Sequence, residues 1–256
     1  MEWIKAKVKK INIWNNNLFS IILKAKINNF IAGQFVRLTT LKSKNNIRRA
    51  YSYVNSPNNK NLEFYIVKIN SGNLSNELYN LKKNDYILIT KESFGFFTLN
   101  EIPKCKNLWM FSTGTAIGPY LSILQYKKNL TFFKNLILVH AVKFIKDLSY
   151  LILINNLKKK YKNKLKVILI VSREKSNISI LGRIPKLISN GVIEKKTNIK
   201  INKKNDHIML CGNPNMIIET QKLLKKKYNM KKNLRRIPGN ITIENYWKNI
   251  IIKENL

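Results

Sequence analysis

The rhythm of the sequence changes once, near Phe97, and that change constrains the fold more than any other feature. Before it, apolar residues come in short β-branched or aromatic runs: Trp3–Ile11, Leu18–Ala25, Gln34–Leu41, Arg49–Val54, Leu62–Ile69 and Tyr86–Thr90. Clusters of Asn, Ser, Gly or Lys separate them, as expected of strands joined by turns. One helical stretch, starting near Ser75 and running through Leu81, interrupts the series. Six short strands with one helix predict a small closed antiparallel β-barrel. After Phe97, buried-strand runs alternate with helical segments. The strands are Leu108–Phe111, Leu136–Val142, Leu165–Val171 and His207–Cys211. The helices are Tyr120–Tyr126, a segment N-capped by Asp147 and ending at Tyr161, and Pro214–Tyr228, with Pro214 at the favoured first position. That alternation predicts parallel βαβ units in a doubly wound α/β sheet. The expected division is 1–99 and 100–256, with the boundary in Leu99–Lys106 around Pro103. The Lys/Asn-rich run Lys195–Asn205 reads as loop. Ligands of such a sheet bind at the carboxyl ends of its strands, where the strand order reverses.

Composition bounds the function. Of 256 residues, 45% are hydrophobic, enough for a sizeable core, so wholesale disorder is excluded. Two cysteines, Cys105 and Cys211, exclude a disulfide scaffold and suit a reducing compartment such as the cytoplasm. The longest apolar runs fall short of the ~18 residues of a membrane span, and Met1-Glu2-Trp3-Ile4-Lys5 lacks the apolar region of a signal peptide. A net charge of +35 is what a phosphate-backbone binder would carry. Yet the basic residues are spread along the chain, are overwhelmingly Lys, and come with an excess of Asn and Ile, the residues A+T-rich codons encode. The charge therefore reads as composition rather than as a nucleic-acid patch. Arginine is the informative cation: Arg37, Arg48, Arg49, Arg173, Arg183, Arg235 and Arg236. Its planar fork suits bidentate phosphate binding.

Several short motifs carry chemistry. In a strand, Arg49 and Tyr51 of Arg49-Ala50-Tyr51-Ser52 share one face, placing an anion partner beside an aromatic ring. A flavin dinucleotide needs both, and Ser52 could bond a flavin edge; an ordinary half-buried strand with an exposed Arg has the same pattern. Gly72-Asn73-Leu74-Ser75 opens a helix whose free amides suit phosphate, or is simply a Ser-capped start. Ser112-Thr113-Gly114-Thr115-Ala116-Ile117-Gly118-Pro119 lets a nucleotide approach a helix N-terminus, although its Gly-x-x-x-Gly-Pro spacing also fits a tight turn. Ser172-Arg173-Glu174 and Gly182-Arg183 place two scarce arginines near one sheet edge, with Lys143 as a third charge. They suit a 2′-phosphate, or are solvated surface. Cys211-Gly212-Asn213-Pro214-Asn215-Met216 points a thiol into the switch-point crevice, or buries it as a small hydrophobe. His140 and His207 flank strands and read as structural. The scattered Cys and His give no metal-ligand spacing.

Taken jointly, Arg49–Ser52, Gly114–Pro119, Ser172-Arg173, Gly182-Arg183 and Cys211–Met216 resemble the ferredoxin–NADP reductase family. Tyr51–Pro57, Gly114–Leu124 and Glu244-Asn245-Tyr246-Trp247 are similar to its enterobacterial flavodoxin/ferredoxin-reducing type, over roughly Met1 to Trp247. The resemblance implies an FAD-binding barrel (1–99), an NADP-binding doubly wound domain (100–256), and electron transfer between NADPH and flavodoxin or ferredoxin. By position, it implies that Arg49, Ala50, Tyr51, Ser52, Tyr65, Val67 and Lys68 contact the flavin. Asn73, Leu74 and Ser75 would meet its pyrophosphate, Thr115 would lie near it, and Tyr246 and Trp247 would pack on it. Lys143, Arg173 and Arg183 would take the 2′-phosphate of NADP(H). Ser52, Cys211 and Glu244 would shape the nicotinamide pocket. The chain departs from the family in having Lys143 for a usual Arg, Ala116 for a common Gly, and Lys248–Leu256 after the terminal Trp. The partners implied are acidic, with Arg235 and Arg236 as docking candidates on a monomer. Two other classes stay open: a nucleic-acid binder, and a sister flavin reductase with another acceptor.

Overall fold

The computed structural model describes residues 1–41, 47–128 and 130–247; the tail Lys248–Leu256, a departure from the family pattern, lies outside the described residues. The first six strands are β1 (Trp3–Asn15), β2 (Leu18–Lys24), β3 (Phe35–Thr40), β4 (Arg49–Ser52), β5 (Leu62–Val67) and β6 (Tyr86–Thr90). They form one antiparallel sheet in the order β4-β3-β6-β1-β2-β5. An isolated bridge, Tyr53 to Phe64, joins the two edge strands, so the sheet is a nearly closed barrel. Alternate side chains fill it: Ala6 and Val8, Phe19, Ile21 and Leu23, Val36 and Leu38, Leu62, Phe64 and Ile66, Ile87 and Ile89. Helix α1 (Asn73–Tyr79) caps this core with Leu74 and Leu78. It starts two residues before the expected Ser75, because the Ser75 hydroxyl is used inside the first turn, donating to Gly72 O (3.1 Å) and accepting from Ile69 N–H (3.1 Å).

The second half supplies β7 (Asn107–Thr113), α2 (Gly118–Tyr126), β8 (Asn135–Val142), α3 (Leu151–Tyr161), β9 (Leu165–Val171), β10 (Ile180–Leu181), α4 (Ile184–Ser189), α5 (Val192–Thr197), β11 (Asp206–Gly212), α6 (Pro214–Tyr228) and β12 (Ile241–Asn245). The strands form a parallel sheet, order β10-β9-β8-β7-β11-β12, whose sequence order reverses at β7. Trp109, Phe111, Ile137, Val139, Ile168, Ile170, Ile208 and Leu210 alternate along the strands and pack with Ile184, Leu187 and Ile188 of α4 and Met216, Ile217 and Leu224 of α6. The intervening Leu108, Met110, Leu136 and Leu138 are also buried, which explains why these strands read as continuous apolar runs. An antiparallel barrel followed by a doubly wound sheet is the fold class the sequence predicts. By density of contacts, Met1–Ile102, Ile117–Phe132 and Phe144–Asn163 form one compact unit, and Pro103–Ala116, Phe133–Lys143 and Lys164–Leu256 the other.

Two local expectations are corrected. Asp147 does not cap α3. It closes a separate 3₁₀ turn, Ile145–Asp147, with its Oδ2 accepting from Phe144 N–H (3.1 Å), and α3 starts at Leu151. The intervening Ser149 and Tyr150 are drawn away by hydrogen bonds to Tyr65, Ser20 and Glu63. Lys195–Thr197 are not loop but the end of α5, held by the buried Ile193 and Thr197. The short elements β10, α4, α5 and β12 add to those read from sequence.

Candidate functional site

On the barrel, the closing bridge at Tyr53 and Phe64 is followed by Val54 N–H donating to Glu63 O (2.9 Å). On the other side of that bridge, Arg49–Ser52 pair only with β3 among the described residues, by the register Phe35–Ser52, Val36–Tyr51, Arg37–Ala50 and Leu38–Arg49. β4 and β5 are thus the outer strands of the sheet, meeting at the Tyr53–Phe64 bridge. Arg49 and Ala50 are exposed, and Tyr51 and Ser52 half-buried. Arg49 and Tyr51 are on one face, as alternation demands. Burial pushes the Tyr51 phenol up to about 12, against the nearby Arg49 charge, so it stays a neutral donor.

Further along β5, the buried Tyr65 bonds Ser149 Oγ through its hydroxyl (2.6 Å), and Val67 is exposed. Lys68 places Nζ 4.0 Å from the centre of the Tyr79 ring. Then comes α1. Its first intrahelical bond runs from Asn76 N–H to Gly72 O (3.2 Å), so the amides of Asn73, Leu74 and Ser75 precede the ladder. A Cβ at Gly72 would meet Ser75 Oγ at 2.7 Å and Ile69 Cβ at 3.0 Å. A small-residue turn, free helix-start amides, an exposed guanidinium and a neutral phenol are the donor set an FAD pyrophosphate and ring system require, so the barrel fits that cofactor.

On the parallel sheet, the switch point falls at β7 and β11. Gly114 has φ +54 and opens the 3₁₀ turn Gly114–Ile117 carrying the half-buried Thr115 and buried Ala116. Gly212 at the end of β11 has φ +124, and a Cβ there would collide with Thr113 Oγ1 and lie 3.1 Å from Ala116 Cβ. Beside it, Asn213 N–H donates to Thr113 Oγ1 (2.8 Å), and Tyr246 N–H donates to Gly212 O (3.2 Å). Three chain segments therefore meet within hydrogen-bonding distance. Cys211 is fully buried between Ser112 of β7 and Glu244 of β12, and its Sγ donates to Glu244 Oε1 (3.9 Å). Burial, with the Glu244 charge, holds the thiol well above its ordinary value, so it remains protonated. Tyr246 is half-buried and Trp247 exposed.

The other end of the sheet gathers cations. Lys143 follows β8, Arg173 follows β9, and Arg183 follows β10 and caps α4. Arg173 N–H bonds Lys143 O (3.0 Å) and Gly182 N–H bonds Val171 O (3.1 Å), so three neighbouring strand ends present the three side chains, all exposed. Among the described residues the ion pairs are Lys91–Glu2 and Lys227–Glu194, which leave this triple out. His140 and His207 are buried and bonded to Ser112 Oγ (3.1 Å) and Thr242 Oγ1 (2.8 Å), the structural roles expected. The motifs contain Thr113 and Gly212 without singling them out; the glycine before Asn213-Pro214 was the available signal.

A family model described as the oxidoreductase FAD-binding domain matches residues 5–95, and one described as the oxidoreductase NAD-binding domain matches residues 110–222. A flavodoxin/ferredoxin–NADP reductase of Buchnera aphidicola subsp. Schizaphis graminum is 55% identical over 254 residues, covering 96% of this chain and 99% of that protein. Its counterpart in Escherichia coli K12 is 49% identical over 246 residues, covering 96% and 99%. Among solved structures, a ferredoxin NADP+ reductase from Neisseria gonorrhoeae with bound FAD and NADP superposes with a TM-score of 0.90 at 28% identity, over 96% of this chain and 100% of that one. With both domain models in the observed order and relatives matching nearly end to end, the chain belongs to the flavodoxin/ferredoxin–NADP reductase family.

Proposed function

We propose that this chain is an oxidoreductase that carries electrons between NADPH and a flavodoxin or ferredoxin, with residues 1–99 as its FAD-binding half and 100–256 as its NADP-binding half. The observation that carries this reading is the exposed triple Lys143, Arg173 and Arg183 at the ends of β8, β9 and β10. The 2′-phosphate is what distinguishes NADP from NAD, and clustered guanidinium groups are its natural partner.

When bound, FAD supplies the conversion between a two-electron transfer and single-electron transfers. The chain's residues supply placement. Arg49 and the amides of Asn73, Leu74 and Ser75 hold the pyrophosphate. Tyr51 offers its ring, with Ala50 small enough to let a ligand lie against the strand. Ser52 bonds the ring edge, and Tyr65, Val67 and Lys68 line the β5 side. Thr115 approaches from the Gly114 turn. Ser52 on the barrel, and the protonated Cys211 with Glu244 on the parallel sheet, are the residues assigned to the nicotinamide. A fully buried neutral thiol whose proton points to Glu244 acts there by orienting that carboxylate, not as a nucleophile. Tyr246 and Trp247 cover the flavin, and the Tyr246 ring moves aside to admit the nicotinamide.

Flavodoxins and ferredoxins are acidic, and a charge of +35 accelerates encounter with such partners. Arg235 and Arg236 occupy the tip of a turn closed by reciprocal bonds between Leu234 and Ile237 (3.0 Å each), with both flanking side chains exposed. That tip is the proposed docking point on a monomer. Among the described residues no helix is long and apolar enough to cross a membrane, and we place the enzyme in the cytoplasm, with neither nucleic acid nor membrane as a partner.

The deciding experiment is anaerobic mixing of the FAD-loaded protein with NADPH or NADH, followed by purified flavodoxin or ferredoxin. NADPH should bleach the visible absorbance at far lower concentration than NADH, and the acceptor should restore it. Equal response to NADH, or a folded protein that takes up no FAD, would refute the proposal.

A further inference from the structure

The barrel carries a buried polar chain that the roles above do not use. On β5, Leu62, Phe64 and Ile66 enter the core, so Glu63 and Tyr65 face outward. There Trp14 Nε1 donates to Ser20 Oγ (2.6 Å), Ser20 Oγ lies 2.7 Å from Tyr150 OH, and Tyr150 OH donates to Glu63 Oε1 (2.7 Å). A phenol has one proton, and that proton is committed to Glu63. The Ser20 hydroxyl, which also bears on Glu63, is left to donate to Tyr150 or to the carboxylate, so the donors point from indole to carboxylate. A second arm bonds Tyr65 OH to Ser149 Oγ (2.6 Å), with the Tyr65 ring edge-on to Tyr150 at 5.0 Å.

The same Glu63 closes the barrel seam with its main chain. Val54 N–H donates to Glu63 O (2.9 Å), and Glu63 N–H donates to Asn55 Oδ1 (2.7 Å), beside the Tyr53–Phe64 bridge. Helix α2 ties the opposite side of this seam, through Ser122 Oγ to Asn55 O (2.7 Å) and Gln125 Nε2 to Val54 O (2.7 Å). One residue thus fastens β5 to the strand opposite and, by its side chain, to the segment leading into α3. We infer that Glu63 and Tyr150 are positioning residues that set the opening between the outer strands β4 and β5 beyond the Tyr53–Phe64 bridge, and through it how tightly the barrel holds FAD. The inference rests on the assignment of that opening to FAD under the proposed function.

Protonation tests the idea. The groups facing Glu63 are Lys10 of β1, Ser20 of β2, and Tyr150 on the segment before α3; Tyr65, on β5 itself, faces Tyr150, and Asp147 acts on Tyr65. With Glu63 ionised, every donor in the chain has an acceptor. Protonated, Glu63 still accepts from Tyr150 through its carbonyl oxygen, but that bond loses its charge assistance and the carboxyl gains a proton that no bond of the chain takes up. Burial raises the Glu63 carboxyl, opposed by the Tyr150 and Ser20 bonds and by Lys10, so this disruption sets in above the pH of an ordinary glutamate, about 4.3.

The experiment follows FAD release from the holoenzyme by flavin fluorescence after dilution, across a pH series. Wild type should lose FAD progressively as Glu63 protonates. Glu63→Gln, a neutral acceptor like the protonated carboxyl, should release FAD near neutrality as fast as wild type does in acid and show no further acid-side step. Tyr150→Phe should weaken retention near neutrality by about tenfold, the equivalent of one or two buried hydrogen bonds. A lowered unfolding temperature with an unchanged pH profile in both variants would mean a merely structural role and overturn the inference. If Tyr150→Phe does not fold, the Glu63→Gln profile alone decides. A wild-type protein that binds no FAD at any pH would overturn the functional assignment and this inference with it, whereas FAD-binding variants identical to wild type would remove only the inference.

Discussion

Gly212→Ala probes whether the meeting of β7, β11 and the chain after β12 is as tight as the geometry implies. At φ +124 an alanine is held in a region that favours glycine, at about 1–3 kcal/mol. Its Cβ would overlap Thr113 Oγ1 and lie 3.0 Å from Thr113 O and 3.1 Å from Ala116 Cβ, an overpacking that costs a further ~1–3 kcal/mol. Thr113 Oγ1 can swing away only by giving up its bond from Asn213 N–H, about 1 kcal/mol more. The sum is on the order of 4 kcal/mol, which at about 2–4 °C per kcal/mol for a chain of this size lowers Tm by roughly 8–16 °C. Any relaxation displaces the Gly212 carbonyl that binds Tyr246 N–H, so the KM for NADPH should rise as well. Scanning calorimetry of the holoenzyme and steady-state kinetics read the two effects. Adding Thr113→Ala relieves the Oγ1 overlap but not the backbone strain or the Thr113 carbonyl contact, so the double variant should recover only about 1–2 kcal/mol of the loss. A Gly212→Ala protein with wild-type Tm and KM would show that the turn is loose and that the close approach does not shape the site.

Two further outcomes follow from the sheet. Arg173→Ala should raise the KM for NADPH by roughly 10–100-fold, as expected for one lost charge-assisted contact, and leave NADH kinetics unchanged; an equal effect on both nucleotides would place Arg173 outside the 2′-phosphate site. His140, pushed down to about 3 by burial, contributes stability that is complete above its unfolded value of about 6.5 and is lost as pH falls toward the folded one, about 2 kcal/mol by about pH 5. His140→Gln should therefore show a shallower acid loss in urea melts than wild type, and identical slopes would contradict a buried neutral imidazole.

What the sequence made legible follows from what is local. Barrel strands announce themselves because core residues such as Phe19, Ile21 and Leu23 alternate, and the parallel strands because both faces are buried. Lys143 and Arg173 stand out because each follows a readable strand end, and Arg183 because arginine is scarce in this chain. The two-residue β10 is too short to carry a period, and α4 and α5 are broken by Gly191 at φ +69, so neither shows a full amphipathic repeat. Asp147 misleads because a capping residue is judged by its neighbours, while its segment answers to the barrel: Asn15 Nδ2 reaches Lys146 O (3.0 Å) and Asp147 Oδ1 (3.1 Å). The Trp14–Ser20–Tyr150–Glu63 chain was beyond reach for the same reason, since Ser20 and Tyr150 are 130 residues apart and nothing in either neighbourhood marks the other.

The arginines show why rarity is a usable signal in a chain crowded with lysine. A guanidinium is planar and weakly hydrated, so it suits an aromatic ring or a planar anion. Arg37 lies 5.8 Å from the Phe94 ring centre and Arg48 5.3 Å from that of Trp3, which are the stacked cases. Arg49, Arg173, Arg183, Arg235 and Arg236 are exposed on an outer strand, at two strand ends and at a turn tip. Drift toward lysine can satisfy a general demand for charge, because an ammonium serves as a point charge anywhere on a surface. It does not reproduce the fork where geometry matters, which is the physical ground for assigning the arginines outside aromatic stacks, under the proposed function, to phosphates and an acidic partner.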